Sequence, residues 1–116
     1  MLRLRGASLG VEQGSKLLFA DFKDGGVMWT GEGAREMRHA ILFSEKFLSG
    51  PAVQVSLSMW DMDQRANQRA DLVAEEITAE GFIIVFRTWG DTRVARVRAD
   101  WLALGPVWDD EEWALN

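Results

Sequence analysis

The amino-acid sequence alone predicts a small α+β domain, from three of its segments. Residues 81–101 contain two stretches of strand-forming residues around a short polar connection, which is typical of paired strands. Residues 52–59 alternate apolar and polar side chains with a period of two, as a half-buried strand does. Residues 63–77 are rich in helix formers and would place several apolar side chains on one stripe of a helix.

The two strands of residues 81–101 are predicted to form a hairpin that turns at residues 89–92. In this register Phe86 lies opposite Ala95, so that a large side chain faces a small one, as suits a packed core. The other face of the hairpin would mix apolar side chains with Arg87, Arg96 and Arg98. A face of this composition is typical of a subunit interface, so the hairpin predicts self-association.

The rest of the chain is predicted to add shorter elements. An entry segment at residues 9–14 leads into a short strand at residues 15–22. Turn-forming glycine clusters make residues 23–33 a loop. A further strand is expected at residues 35–43, and Pro51 can stand only at the start of the strand that follows it.

Composition limits the functions that the chain can have. Its 116 residues, 47% of them hydrophobic and 27% charged, predict one soluble domain over residues 1–116. The net charge of −5 argues against nucleic-acid binding, because phosphate affinity needs a basic surface. No apolar run approaches membrane-spanning length, and residues 1–8 lack the apolar segment of a signal peptide. Any export is therefore expected to follow a non-classical route or to occur as part of a particle.

Enzymatic and metal chemistry have no recognisable residue pattern. The chain lacks cysteine, so it has neither a disulfide framework nor thiol chemistry. Asp61 and Asp63 lack the glycine and the closing glutamate of a calcium loop. His39 has no serine or cysteine partner in any motif, and no pair of carboxylates has a glycosidase-like placement. We predict no catalytic residue, metal site or cofactor.

Six tryptophans and no tyrosine are the most unusual feature of the composition. Tryptophan is costly to expose and useful where an aromatic plane must pack, so core and interface packing is the general expectation. Trp89 is the best candidate for a ligand platform because it stands at the predicted turn. The six are Trp29, Trp60, Trp89, Trp101, Trp108 and Trp113.

A series of short motifs follows in a fixed order along the chain. These are Arg35-Glu36, Pro51 before a strand, Trp60-Asp61, Asn67-x-Arg69, Thr78 with Gly81-Phe82, Thr88-Trp89, and Trp101. Between about residues 11 and 105 the chain thereby resembles the H-type lectin domain, the family of snail agglutinins and the C-terminal domain of slime-mould discoidins. The resemblance implies an all-β fold, a six-stranded antiparallel β-sandwich, in which residues 69–77 form a strand. Residues 106–116 would then be an acidic C-terminal tail.

The resemblance also implies a function and an assembly. The family forms trimers and binds galactose or N-acetylgalactosamine between neighbouring subunits, without catalytic groups. The chain is therefore expected to be a non-enzymatic, homotrimeric lectin whose partners are glycans and its own copies, with no nucleic acid and no membrane insertion. A structural trimerisation or receptor-attachment module of a larger, phage-like assembly, without sugar binding, stays open as the alternative.

The family's site is carried over to this chain residue by residue. Arg69 matches the site arginine, whose planar fork donates to vicinal hydroxyls. Asn67 lies two residues earlier, hence on the same side of a strand. Glu32 corresponds to the site aspartate, a carboxylate that accepts from a sugar hydroxyl. Trp89 would supply an apolar wall from the adjacent subunit.

Two positions depart from the snail lectins. Gly90 replaces a histidine and Ala95 replaces a tyrosine, and both changes remove contact area on the side that holds the acetamido group. A bare hexose, an acidic bacterial glycan or no sugar at all therefore remain open beside N-acetylgalactosamine. The predicted carbohydrate-binding residues are Glu32, Asn67, Arg69, Trp89 and Gly90.

Overall fold

The computed structural model describes residues 1–4 and 8–108, and in them six strands and two one-turn helices. The elements are β1 (Ser8–Phe19), α1 (Asp21–Asp24), α2 (Val27–Thr30), β2 (Arg35–Leu42), β3 (Ala52–Met62), β4 (Asp71–Glu75), β5 (Gly81–Thr88) and β6 (Val94–Val107). The strands form two antiparallel sheets, sheet I in the order β1-β6-β3 and sheet II in the order β2-β5-β4. The predicted six-stranded antiparallel β-sandwich is confirmed.

The core lies between the two sheets and is built from alternate side chains of their central strands. β5 and β6 contribute most of it, because each is flanked by strands on both sides. At one end an aromatic cluster closes the core, in which Trp101 packs edge-on against Phe82 at 5.5 Å between ring centroids. The fully buried side chains of the two central strands include Ile84, Phe86, Val94 and Val97.

Tertiary pairing overrides helix propensity in the segment before β5. Residues 71–75 form strand β4, which pairs with β5 so that Leu72 lies opposite Phe86 and Ala74 opposite Ile84. In this position β4 covers one edge of β5 and packs Leu72 and Ala74 against the core. The α+β fold expected from propensity is therefore wrong, and the strand implied by the resemblance is confirmed.

The predicted hairpin of β5 with β6 is wrong. β5 pairs with β2 and β4 in sheet II, whereas β6 pairs with β1 and β3 in sheet I. Phe86 lies opposite Met37 and Leu72 rather than Ala95. The chain between the two strands therefore crosses from one sheet to the other.

The predicted mixed face of apolar and arginine side chains is divided between the two outer surfaces of the sandwich. On sheet II, Arg87 contacts Glu36 at 2.9 Å and Glu75 at 3.0 Å. On sheet I, Arg96 contacts Asp61 at 3.3 Å. Because these arginines lie on opposite sides of the molecule, the hairpin face that predicted self-association does not exist.

The bounds of the first and last elements differ from those predicted. β1 runs continuously from Ser8, so the entry segment and the short strand are one element, and the predicted loop at 23–33 contains α2 and part of α1. β6 continues to Val107, and the predicted acidic residues 109–112 lie outside the described residues. Among the described residues, no helix is long and apolar enough to cross a membrane.

Candidate functional site

The five residues that cross between the sheets, 89–93, hold together the end of the sandwich where the predicted site lies. On one side the Gly33 N–H donates to the Gly90 carbonyl at 2.9 Å, which binds the loop before β2 to this crossing. On the other side the Arg69 N–H donates to Thr92 Oγ1 at 3.1 Å, which binds the segment before β4. The crossing thus brings two distant segments of sequence together.

Two buried threonines fix the backbone of the segment that carries Asn67 and Arg69. Thr88 and Thr92 are 1% and 0% exposed. The Thr88 hydroxyl donates to the Arg69 carbonyl at 2.7 Å, and the Thr92 hydroxyl donates to the Asn67 carbonyl at 2.5 Å. The resemblance marked Thr88 only as part of a motif and did not mark Thr92, although two threonines that bracket the turn were visible in the sequence.

Asp91 is the central carboxylate of the site, and the sequence prediction missed it. Arg69 Nη1 donates to Asp91 Oδ1 at 2.5 Å, and the Asn67 side-chain amide lies 3.4 Å from the same carboxylate. The hydrogen bond from Arg69 lowers the pKa of Asp91, and Asn67 lowers it further. Both side chains therefore reach Asp91, although neither residue lies on the predicted strand, since β4 begins only at Asp71.

Arg69 keeps most of its hydrogen-bonding capacity for a ligand. Its side chain is 32% exposed. Within residues 1–4 and 8–108, Asp91 alone accepts a hydrogen bond from its guanidinium. A guanidinium has several other N–H donors in a fixed plane, so those of Arg69 are available to hydroxyls outside the chain.

Gly90 makes room for this guanidinium. Its φ of 68° lies in the left-handed region that favours glycine. A Cβ at this position would lie 2.9 Å from Arg69 Nη1. The side chain that Gly90 lacks is thus the reason why Arg69 can pack against the turn beside Asp91.

Glu32 lies beside the turn with its carboxylate unengaged. It is exposed and stands directly before Gly33, whose N–H binds the Gly90 carbonyl. Among the described residues, no hydrogen bond or ion pair holds its carboxylate. Glu32 is therefore placed at the predicted end of the sandwich and can accept from a ligand.

A buried arginine shapes the Glu32 loop. Arg35 is 7% exposed and donates from Nε to the Gly33 carbonyl at 3.0 Å and from Nη1 to the Met28 carbonyl at 3.1 Å. Its Nη2 donates to the Gly90 carbonyl at 3.3 Å. Arg35 was only a marker of the resemblance in the sequence, and the structure shows that it ties the loop to the crossing.

Trp89 lies on the other side of the turn from Arg69. Its side chain is 45% exposed and lines a shallow depression of about 300 Å³ at the start of β2. The lining comes from Ala34, Arg35, Glu36, Arg87, Thr88 and Trp89, and the Asn67–Arg69 segment contributes none of it. The structure thus brings Asn67, Arg69 and Gly90 together, with Glu32 next to the Gly33 that binds the turn, while Trp89 lines a separate depression.

A second cluster supports the turn from the side of the helices. The Arg93 guanidinium carbon lies 4.3 Å from the centroid of the Trp29 ring, and its Nε donates to the Trp29 carbonyl at 2.9 Å. Arg93 Nη1 also lies 3.4 Å from Asp63. Hydrogen bonds from Arg65 lower the pKa of Asp63 to about 2. Trp29 therefore has the packing role expected of most tryptophans.

The fold and the shallow, solvent-open site define a small β-sandwich binding module. Comparison with protein families matches residues 38–104, more than half of the chain, to the H-type lectin domain. The chain belongs to the H-type lectin domain family, as the sequence motifs predicted, and has the fold of a carbohydrate-binding lectin domain.

The discoidin relatives agree with this assignment. One of the discoidin-1 polypeptides of Dictyostelium discoideum is 35% identical over 75 residues, which are 64% of this chain and 30% of that protein. The native structure of recombinant discoidin II from the same organism superposes with a TM-score of 0.74 at 25% identity, over 90% of this chain and 40% of that one. A protein of Fuscovulum blasticum named "ATP synthase subunits region ORF 7" is 64% identical over all 116 residues.

Proposed function

We propose that this chain is a non-enzymatic lectin domain that binds galactose-type or N-acetylgalactosamine-type sugars at sites shared between the subunits of a homotrimer. The observation that carries the proposal is the partly exposed Arg69 guanidinium, which Asp91 orients while its other donors stay open to solvent. The family supports a glycan as the ligand, because the H-type lectin domain matches most of the chain.

The charges around Arg69 favour a neutral sugar. Asp91 directly contacts the Arg69 guanidinium, and Glu32 adds a second carboxylate next to Gly33, which binds the turn. A second anion from the ligand would add to this negative charge, whereas hydroxyls can donate to Glu32 and accept from Arg69. Of the ligands left open by the sequence, a neutral hexose therefore fits better than an acidic glycan.

The same carboxylates support a binding role rather than catalysis. A glycosidase needs a carboxylic acid whose pKa is raised, so that it can protonate the leaving group. Arg69 lowers the pKa of Asp91, so that this carboxyl stays ionised. Asp91 is thus suited to hold a guanidinium and unsuited to general-acid chemistry.

The direction of Trp89 supports a site that needs a second subunit. Gly90 adds no side chain to the Arg69 side of the turn, and Trp89 lines a separate depression at the start of β2. In a trimer the exposed indole of one copy would complete the site of the next. Three such sites in one assembly raise the avidity for multivalent glycans, so that each single site can be weak.

The first test compares the binding of wild-type and variant trimers to a glycan array. Arg69→Ala should lower the binding of galactosyl glycans by roughly 10- to 100-fold, since hydrogen bonds from a charged donor are lost, while sedimentation shows an intact trimer. The matched control is Arg96→Ala, which removes an exposed arginine on the outer face of sheet I and should bind as the wild type does.

Shared sites predict complementation between two defective chains. Trp89→Ala should also bind weakly, but trimers refolded from a mixture with Arg69→Ala should regain part of the binding, because an intact Arg69 then meets an intact Trp89 at some interfaces. Failure to regain binding would refute the shared site. An intact trimer that binds no glycan would instead favour the structural attachment module.

A further inference from the structure

The structure has a second exposed tryptophan in a depression, apart from the site around Arg69. This depression has a volume of about 250 Å³ and lies where the edge strand β3 of sheet I passes the segment before β4. Trp60 is 56% exposed there, although its partner in the strand register is the fully buried Val97. The lining residues are Leu57, Trp60, Met62, Gln68 and Ala70.

The lining combines an aromatic surface with free polar groups and carries no charged residue. Within the described part of the chain, neither the Gln68 side-chain amide nor the Trp60 indole N–H has a hydrogen-bond partner. An amide offers donors and an acceptor, and the indole offers a donor beside an apolar plane. This chemistry fits a neutral ligand with both an apolar face and hydroxyl groups, which is the character of a pyranose ring.

The depression and the Arg69 site both use residues of the same short segment, 67–70. The side chains of Asn67 and Arg69 bind Asp91 on one side of this segment. The side chains of Gln68 and Ala70 line the depression on the other side. Neighbouring residues of this segment thus contribute to two different surfaces, since Gln68 stands between Asn67 and Arg69.

We propose that the Trp60 depression is a second sugar subsite, which takes a neutral pyranose ring against the Trp60 indole with its hydroxyls on Gln68. It would contact a further unit of a glycan whose terminal sugar lies at Arg69. This inference rests on the proposed function for the identity of the ligand, but it uses different residues and can fail separately.

The experiment uses the full chain with two probes, methyl galactoside and a galactose-terminated disaccharide. Trp60→Phe assigns the indole N–H resonance of Trp60 among the tryptophan signals, and this resonance should shift when the disaccharide is added. Gln68→Ala should weaken disaccharide binding by roughly three- to tenfold and leave methyl galactoside binding unchanged. Trp60→Ala should weaken disaccharide binding by a similar factor.

Gln54→Ala is the matched control, because it removes the same amide from an exposed position of β3 that does not line the depression. If Gln68→Ala binds the disaccharide as tightly as this control and the Trp60 resonance stays in place, the subsite is refuted while the Arg69 site stands. A resonance that responds to protein concentration and not to sugar would also refute it, since the depression would then be a contact between copies.

Arg69→Ala separates the inference from the proposed function. A Trp60 resonance that still shifts with the disaccharide in this variant would support the subsite as a sugar site in its own right. If, in addition, Arg69→Ala bound glycans as the wild type does, the site of the proposed function would be refuted and the Trp60 subsite would remain.

Discussion

Two arginines approach the same turn from opposite sides and have different roles. Arg35 reaches the Gly90 carbonyl from β2, is 7% exposed, and gives its described hydrogen bonds to three backbone carbonyls. Arg69 packs against Gly90 from the segment before β4, has a side chain that is 32% exposed, and binds the carboxylate of Asp91. The chain therefore supplies hydrogen-bond acceptors on all sides of the Arg35 guanidinium. In contrast, Asp91 only orients Arg69.

The comparison shows how a lectin-like site can be both rigid and open. A buried guanidinium must have its donors paired, and backbone carbonyls of Met28, Gly33 and Gly90 do this for Arg35. The loop and the turn are thereby held at a fixed separation. Arg69 stands on this rigid base and needs only one partner, so its remaining donors can bind a ligand.

The largest expected effect comes from removing the buried arginine. Arg35→Met keeps an unbranched apolar side chain but removes a donor from three backbone carbonyls, of which only that of Gly90 keeps another described donor, the Gly33 N–H. We expect the free energy of unfolding to fall by about 2–4 kcal/mol in urea titrations at one fixed protein concentration. Glycan binding should weaken as well, because the Glu32 loop loses its tie to the turn.

Arg38→Met is the control for this prediction. Arg38 lies on the same strand, but its side chain is 40% exposed and pairs with surface glutamates such as Glu75 and Glu76. Its removal should cost less than about 1 kcal/mol of unfolding free energy. Equal losses for the two variants would contradict the distinction between a buried structural arginine and the surface arginines.

An intermediate effect is expected at the glycine that both arginines contact. Gly90→Ala places a side chain at a φ of 68° and a Cβ 2.9 Å from Arg69 Nη1. The backbone strain should cost about 1–2 kcal/mol of unfolding free energy. Displacement of the guanidinium should lower glycan affinity in addition, as measured by titration calorimetry.

Gly25→Ala separates the loss of stability from the loss of glycan affinity. Gly25 has the same φ of 68°, but a Cβ there would have no heavy atom within 4 Å. This variant should lose a similar amount of stability and none of the glycan affinity. If Gly90→Ala also kept full affinity, the position of Arg69 against Gly90 would have no role in binding.

Most strands, β4 excepted, could be located from the sequence because their patterns are local, but the pairing of the strands could not be. In a hairpin Phe86 would meet Ala95 along a ladder, whereas in the sandwich the strands that carry them belong to opposite sheets. Both arrangements satisfy the same alternation and the same match of large to small side chains. Only the ordered motifs of the H-type lectin domain indicated the sandwich, and they also corrected the helix expected at β4.

The site was predictable to the extent that single residues carry it. The structure brings Asn67, Arg69 and Gly90 together, which the resemblance named as site residues, whereas their binding of a sugar stays a prediction. Asp91 was missed because a carboxylate in a turn is usually solvated, and nothing in the sequence shows that a guanidinium from another segment reaches it. The sequence also could not distinguish Arg35 from Arg69, since burial is decided by the crossing between the sheets.

The smallest effect is expected from substituting Asp91, the carboxylate that distinguishes Arg69 from Arg35. Asp91→Asn keeps the shape of the side chain but removes the charge that orients Arg69, so glycan affinity at pH 7 should fall by roughly tenfold. Asp71→Asn is the control, because Asp71 pairs with Arg87 at 3.7 Å on the outer face of sheet II. The control should bind as the wild type does.

Acidification should act on the same carboxylate. Arg69 lowers the pKa of Asp91, so the ionised partner is fully present above the ordinary aspartate pKa and is lost as the pH falls through the lowered value. The affinity ratio of wild type to Asp91→Asn, measured from pH 7 to pH 3 while circular dichroism reports an intact fold, should therefore fall towards one. The ratio cancels other effects of pH that both chains share. A ratio that stays constant over this range would mean that Asp91 shapes the turn without orienting Arg69 through its charge.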